Sequence, residues 1–316
     1  MVRLRLTYTL IIMNTHGGRS CGLGLFFTVL LAASLAAQPA EVTINDTIVS
    51  PESVTSSRDG AIIFGSTTKG TIYRAAPGAA VADAWIQAST GGLQRVLGVF
   101  ADDRSQTLWV CSSAPAAARG AAPTSTPTGE TGVKSFNLST GAAKGSYLFP
   151  GGTGTCNDMA IAADGTMYAT DTAGARVLRL KPGASAMDQW AADPLLTSAD
   201  GIAVLSDGAV YVNTVATGTL VRLAVGADGT AAAPVKLETS RPIARPDGMR
   251  SVSGMVMLLV EGDGHLDEVA IQGNAANIRT LKEGLTGPTA VTLVGNQAYV
   301  LEGRTKVTAV AYTPSR

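Results

Sequence analysis

The sequence is short of the residues on which most enzyme sites are built. Its 316 residues include 2 His and 3 Cys, only 5% aromatic residues and only 15% charged ones, with 24 Lys+Arg against 24 Asp+Glu. Two histidines exclude a three-His zinc site. The balanced charge and the lack of a basic patch exclude nucleic acid as a natural partner. After the N-terminal region no apolar run is long enough to span a bilayer. Any chemistry must therefore rest mainly on carboxylates and other oxygen donors.

The shortage deepens if the chain is processed. Arg3, Arg5 and Arg19 precede an apolar run from Cys21 to Ala37 that ends in small residues. That pattern reads as a secretory signal over residues 1–36, cleaved after Ala36, with an uncleaved anchor as the alternative. Cleavage leaves 21 basic and 24 acidic residues, a charge of −3, with His265 as the one histidine and Cys111 and Cys156 as the two cysteines. The expected location is exported, periplasmic or secreted, with no membrane association after cleavage. There the two cysteines could form a disulfide; otherwise they are small buried residues.

What the chain has in excess is glycine, 36 residues, and with it many tight turns. Segments starting at Glu52, Asn157, Asp200, Asp247 and Gly287 share one pattern: a polar or turn residue, an apolar-rich strand, a turn, and a second strand. A looser copy starts at Val96. Glu52, Asn157 and Asp200 each lie seven residues before an Asp-Gly turn, a strong hairpin signal. The copies recur every 40 to 61 residues, and the longest interval holds an Ala/Pro/Thr/Gly-rich insertion at 114–132. With a third and fourth strand per copy, this is the period of a β-propeller blade. The expected fold is all-β: one domain over 37–316, a six-bladed propeller of four-stranded antiparallel blades. Residues 41–49 are expected to supply the outer strand of the last blade and close the ring. A β-sandwich is the alternative. The domain is expected to be a monomer.

In a propeller the first strands line the tunnel, so their leading residues meet at one mouth. Glu52, Asn157, Asp200 and Asp247 should converge there. A second ring at the ends of the second strands should hold Ser66, Cys111, Asp171, Asn213, Glu261 and Glu302. Four oxygen-bearing side chains suit a hard divalent cation, Ca²⁺ before Zn²⁺ or Mn²⁺. Asn and Asp also begin strands simply as turn residues, which accounts poorly for Glu52. Glu261 and Glu302 could rim a pocket or be solvated strand ends, and His265 reads as a surface turn residue.

The motifs Pro51-Glu52, Cys156-Asn157-Asp158, Asp200-Gly201-Ile202 and Pro246-Asp247-Gly248-Met249 resemble those of the senescence-marker-protein, gluconolactonase and luciferin-regenerating-enzyme family of six-bladed propellers. The resemblance implies Glu52, Asp200 and Asp247 as ligands of a divalent cation. It implies Asn157 as a further ligand or substrate contact, and Asp247 as general base. Two positions depart from that pattern: Asp200 replaces an Asn, and Thr155 stands where sugar-lactone hydrolases carry a substrate-binding Arg. The implied activity is metal-dependent hydrolysis of a lactone or related ester. A small molecule is expected at the mouth near Thr155, Asn157, Glu261 and Glu302, the last two from their place at second-strand ends. The alternative is a non-catalytic propeller that binds a ligand or protein.

Overall fold

The computed structural model describes residues 38–115 and 130–315. The expected signal segment and most of the 114–132 insertion lie outside them. Among the described residues no helix is long and apolar enough to cross a membrane. The described chain is almost entirely strand and turn; three of its sheets are antiparallel with four strands in chain order, and a fourth adds the short parallel strand Glu238–Thr239 at its edge, an architecture consistent with a β-propeller.

The sheet formed by Cys156–Ile161, Met167–Asp171, Arg176–Leu180 and Asp188–Ala192 shows how sequence makes a blade. The Asp164-Gly165 turn joins the first two strands, with Asp164 Oδ1 accepting from the Thr166 N–H at 2.8 Å. Gly165 takes φ 90° there, which a residue with a Cβ would resist. The first two strands are buried along nearly their whole length and the outermost is largely exposed, so burial falls from the axis outward. Apolar side chains fill the spaces between neighbouring sheets. Tyr211 and Leu220 of one sheet, for example, pack with Met249, Leu259 and Val269 of the next.

The first and last repeats share one eight-stranded sheet. Glu41–Ile44 lies between them, antiparallel to Lys306–Ala311 with Val42 opposite Val307. It is also parallel to Val81–Ile86, with Thr43 opposite Val81. This strand is shorter than the 41–49 expected. Asn45 turns its amide to Asp83 at 2.8 Å, and Asp46 accepts from Tyr73 Oη at 2.6 Å. Residues 45–51 therefore leave the sheet as a loop.

First strands of successive sheets run side by side, close enough to demand glycine. A Cβ at Gly98 would lie 2.4 Å from the Asn157 carbonyl oxygen, and one at Gly201 2.3 Å from that of Asp247.

Candidate metal centre

Four of the first strands share an irregularity that periodicity does not reveal. Cys156 pairs with Asp171 but Met159 with Ala169, so Asn157 and Asp158 together oppose Thr170. In the same way Asp200-Gly201 oppose Asn213, Asp247-Gly248 oppose Val260, and Leu97-Gly98 oppose Cys111. Each is a β-bulge, one extra residue that re-aims a side chain. Asn157, Asp200 and Asp247 are the leading residues of three such bulges.

The bulges and the start of the first repeat bring the sequence-distant acids together. One carboxylate oxygen each from Glu52, Asp200 and Asp247 lies within 4.8 Å of the others. All three residues are largely buried. Two oxygens at this point, Asn157 Oδ1 and Asp247 Oδ1, are buried with no hydrogen-bond partner among the described residues.

The electrostatics are those of crowded anions. Burial, then the charges of Asp200 and Asp158, raises the Glu52 carboxyl well above the usual range. Burial, then Asp200 and Glu52, does the same to Asp247. Burial and Asp158 raise Asp200 to about 7. Carboxyls so placed either hold protons or share a cation. The opposing charge of the Arg304 guanidinium acts on all three.

Two participants escape a reading of the sequence. Asp158, the second residue of its bulge, is a fourth buried carboxyl, raised by burial to about 6. The buried Arg250 guanidinium counters it, seated 5.0 Å from the Phe100 ring centroid. Asp158 stands in the motif with Asn157, but only the bulge turns both residues to the tunnel. Arg304 follows a second strand in a turn, Gly303–Thr305, and no pattern marks it.

The second ring resolves into two sets, because the bulge shifts the register by one. Cys111, Thr170 and Asn213 lie opposite bulges and reach the next sheet. Thr170 Oγ1 donates to the Asp200 carbonyl at 2.6 Å, Asn213 Nδ2 donates to the Asp247 carbonyl, and Cys111 is disulfide-bonded to Cys156 with a Cα–Cα distance of 5.1 Å. The other set holds the loop that leads into its own sheet. Asp171 accepts from the Thr155 N–H at 2.8 Å. Ser66 Oγ donates to the Val49 carbonyl at 2.8 Å.

Glu261 and Glu302, expected either to rim a pocket or to be solvated strand ends, are both engaged by neighbouring loops. Glu261 is 1% exposed, accepts from the Ala244 N–H and pairs with Arg241 at 2.6 Å. Glu302 accepts from the Thr286 N–H at 3.0 Å. Thr155 meets Asp171 through its backbone. His265 Nδ1 lies 3.0 Å from Asp263 Oδ1; these two and Glu261 form a second acidic grouping, whose Glu261 is already engaged.

Solved structures share this architecture. Aligned at 16% identity over 86% of this chain and 89% of the other, a gluconolactonase of Xanthomonas campestris superposes with a TM-score of 0.64. The major Malassezia sympodialis allergen Mala s 1 gives 0.68 at 14% identity, over 87% of this chain and 96% of that one. Virginiamycin B lyase of Staphylococcus aureus gives 0.59 at 12%, over 86% and 98%. No protein-family model matches the chain, and no curated protein does. At these identities the likeness establishes the fold, which is a β-propeller similar to those of gluconolactonase and virginiamycin B lyase.

Proposed function

We propose that the protein is an exported, divalent-cation-dependent hydrolase of a lactone or related ester, built on a six-bladed propeller. Contacts between the first strands support the ring. They run in order from Val54–Ser56 through Arg95–Asp102, Cys156–Ile161, Ala199–Val204 and Pro246–Ser253 to Ala290–Val294, which touches Val54–Ser56 again. The strand Glu41–Ile44 completes the last blade in this reading. Export rests on the pattern of residues 1–36, and the Cys111–Cys156 bridge suits an oxidising compartment.

One observation carries the cation. Two buried oxygens without partners, on Asn157 and Asp247, belong to a group whose three carboxylates crowd within 4.8 Å. An all-oxygen donor set of Glu52, Asn157, Asp200 and Asp247 fits Ca²⁺ better than Zn²⁺ or Mn²⁺. When bound, a divalent cation supplies Lewis-acid polarisation of the substrate carbonyl and acidifies the attacking water. Asp247 accepts the proton of that water as it adds to the carbonyl. Asn157 turns its Oδ1 to the site while its Nδ2 donates to Thr172 Oγ1 at 3.0 Å, and Arg250, bonded to the Val54 and Val291 carbonyls, sets a positive charge against Asp158 behind the site. The ligand is a small molecule at the mouth, and the domain acts as a monomer.

The experiment is turnover of a lactone panel with Ca²⁺, Zn²⁺ or Mn²⁺ added, for the natural protein and Asp247→Ala. A loss of roughly 10²–10⁴-fold in kcat is expected; unchanged turnover removes Asp247 from the chemistry. Thr155, in place of a substrate arginine, favours a second reading, a propeller that binds a ligand without converting it. Cation binding without turnover of any lactone would select that reading.

A further inference from the structure

A cavity of about 520 Å³ opens between the loop 44–51 and the turn 303–305. That volume is within the ~300–1,000 Å³ of small-molecule sites. The cavity adjoins the carboxylate group at two points: Pro51 precedes Glu52 in the chain, and Arg304 on its wall acts on Glu52, Asp200 and Asp247.

The wall is built at some expense to the fold. Ile44, Ile48, Val49 and Pro51 give it an apolar side. Ile48 is 80% exposed and takes φ 57°, a left-handed conformation that is an outlier for a β-branched residue. Ser50 is left-handed too, at φ 45°. Such conformations persist where the surroundings hold them, and they cluster at ligand sites. Here Asp46 is tied to Tyr73 and Lys69. The Val49 carbonyl accepts from Ser66 Oγ and Thr68 Oγ1, at 2.8 and 3.0 Å. The Ser50 carbonyl accepts from Thr67 Oγ1 at 2.7 Å. The fold thus holds a large apolar side chain exposed on the cavity wall.

Arg304 is the cation of this cavity. Asp46, the carboxylate on the wall, is paired with Lys69, and beyond the wall Glu302 accepts from Thr286 and Glu41 pairs with Lys306. Arg304 lines the cavity and opposes the charges of Glu52, Asp200 and Asp247.

We propose that this cavity is a subsite for the apolar arm of an amphiphilic ligand, an alkyl-substituted lactone and the hydroxy-carboxylate it opens to, with the arm against Ile48, Val49 and Pro51 and the acyl oxygens held by Arg304. Its catalytic meaning rests on the hydrolase reading; its binding does not. A polyhydroxylated sugar acid would leave hydroxyls unpaired against the apolar side, which such a wall disfavours.

The test is calorimetric titration of the full protein, with Ca²⁺ added, against two probes of equal charge: 4-hydroxyoctanoate and gluconate. The octanoate should bind at least ten-fold more tightly. Ile48→Ser should weaken the octanoate about five-fold and leave gluconate unchanged, with no loss of Tm because Ile48 is exposed. Arg304→Gln should weaken both. Equal or tighter gluconate binding, or octanoate affinity indifferent to Ile48→Ser, overturns the proposal. Turnover separates the two readings. Octanoate binding of the expected kind without hydrolysis of γ-octalactone or gluconolactone leaves the subsite and removes the hydrolase. Hydrolysis of gluconolactone with no preference for the octanoate does the reverse.

Discussion

Asn213 reaches out of its own sheet to hold Asp247 in the next. Its Oδ1 accepts from the Gly201 N–H at 3.2 Å, and its Nδ2 donates to the Asp247 carbonyl. One amide thus fixes the bulges that carry two of the clustered acids. Thr170 does the same between Asp158, whose N–H it accepts at 3.1 Å, and the Asp200 carbonyl.

Asn213→Ala should therefore damage the site more than its burial suggests. Leaving buried partners unpaired costs about 1–3 kcal/mol of stability. Loosening the support of a ligand lowers cation affinity by roughly ten- to hundred-fold. Urea denaturation and Ca²⁺ titration measure the two. Ile62→Val, a core change of about 1 kcal/mol, serves as control and should leave cation affinity intact. Equal affinity in Asn213→Ala and the natural protein would show that the tie does not shape the site.

Metal-stripped protein should be more stable at pH 5 than at pH 8. The folded carboxyls of Asp158 and Asp200 sit at about 6 and about 7, and those of Glu52 and Asp247 are raised as well. The unfolded values are about 4. Groups raised by folding bind more protons when folded, so their contribution is fully present below about 4 and is lost as pH rises through 6 to 7. The depressed carboxyls, such as Asp46 at about 2, are ionised throughout this window and add no slope. Added Ca²⁺ should raise Tm most at pH 8, where it meets no competing protons. Thermal melts across the range check this; a Tm that rises with pH in stripped protein would contradict it.

The Cys111–Cys156 bridge closes a loop with a sequence separation of 45, for which chain entropy gives about 4 kcal/mol. Cys111→Ala with Cys156→Ala should lower stability by that order. Because Cys156 precedes Asn157, the change should also weaken cation binding. Denaturation and Ca²⁺ titration of the double variant read both effects, and an unaltered midpoint would assign the bridge no structural role.

The blade pattern was legible because Asp-Gly turns and buried strand pairs repeat, and the residues at Glu52, Asp200 and Asp247 could be placed at one mouth on that basis alone. The register beyond them was not. A bulge adds one residue without disturbing the alternation of apolar side chains on either side, so Asp171 and Glu261 looked equivalent to Asn213 although they are one position out. The 41–49 strand reads as continuous because Val42, Ile44 and Ile48 keep a two-residue period across Asp46; the side-chain bonds of Asn45 and Asp46 to Asp83 and Tyr73 end it. Arg250 and Arg304 leave no periodic trace, since their roles depend on what lies across the tunnel.

The ties from Thr170 and Asn213 give the mouth the character of an iris. Asp200 and Asp247 take their positions from the neighbouring blades, so the opening between them follows the spacing of the whole ring. Gly98 and Gly201 set that spacing by admitting backbone where a Cβ would collide. A substitution far from the mouth that spreads two blades would then act as a change of aperture, and its first sign would be a preference for a larger ion.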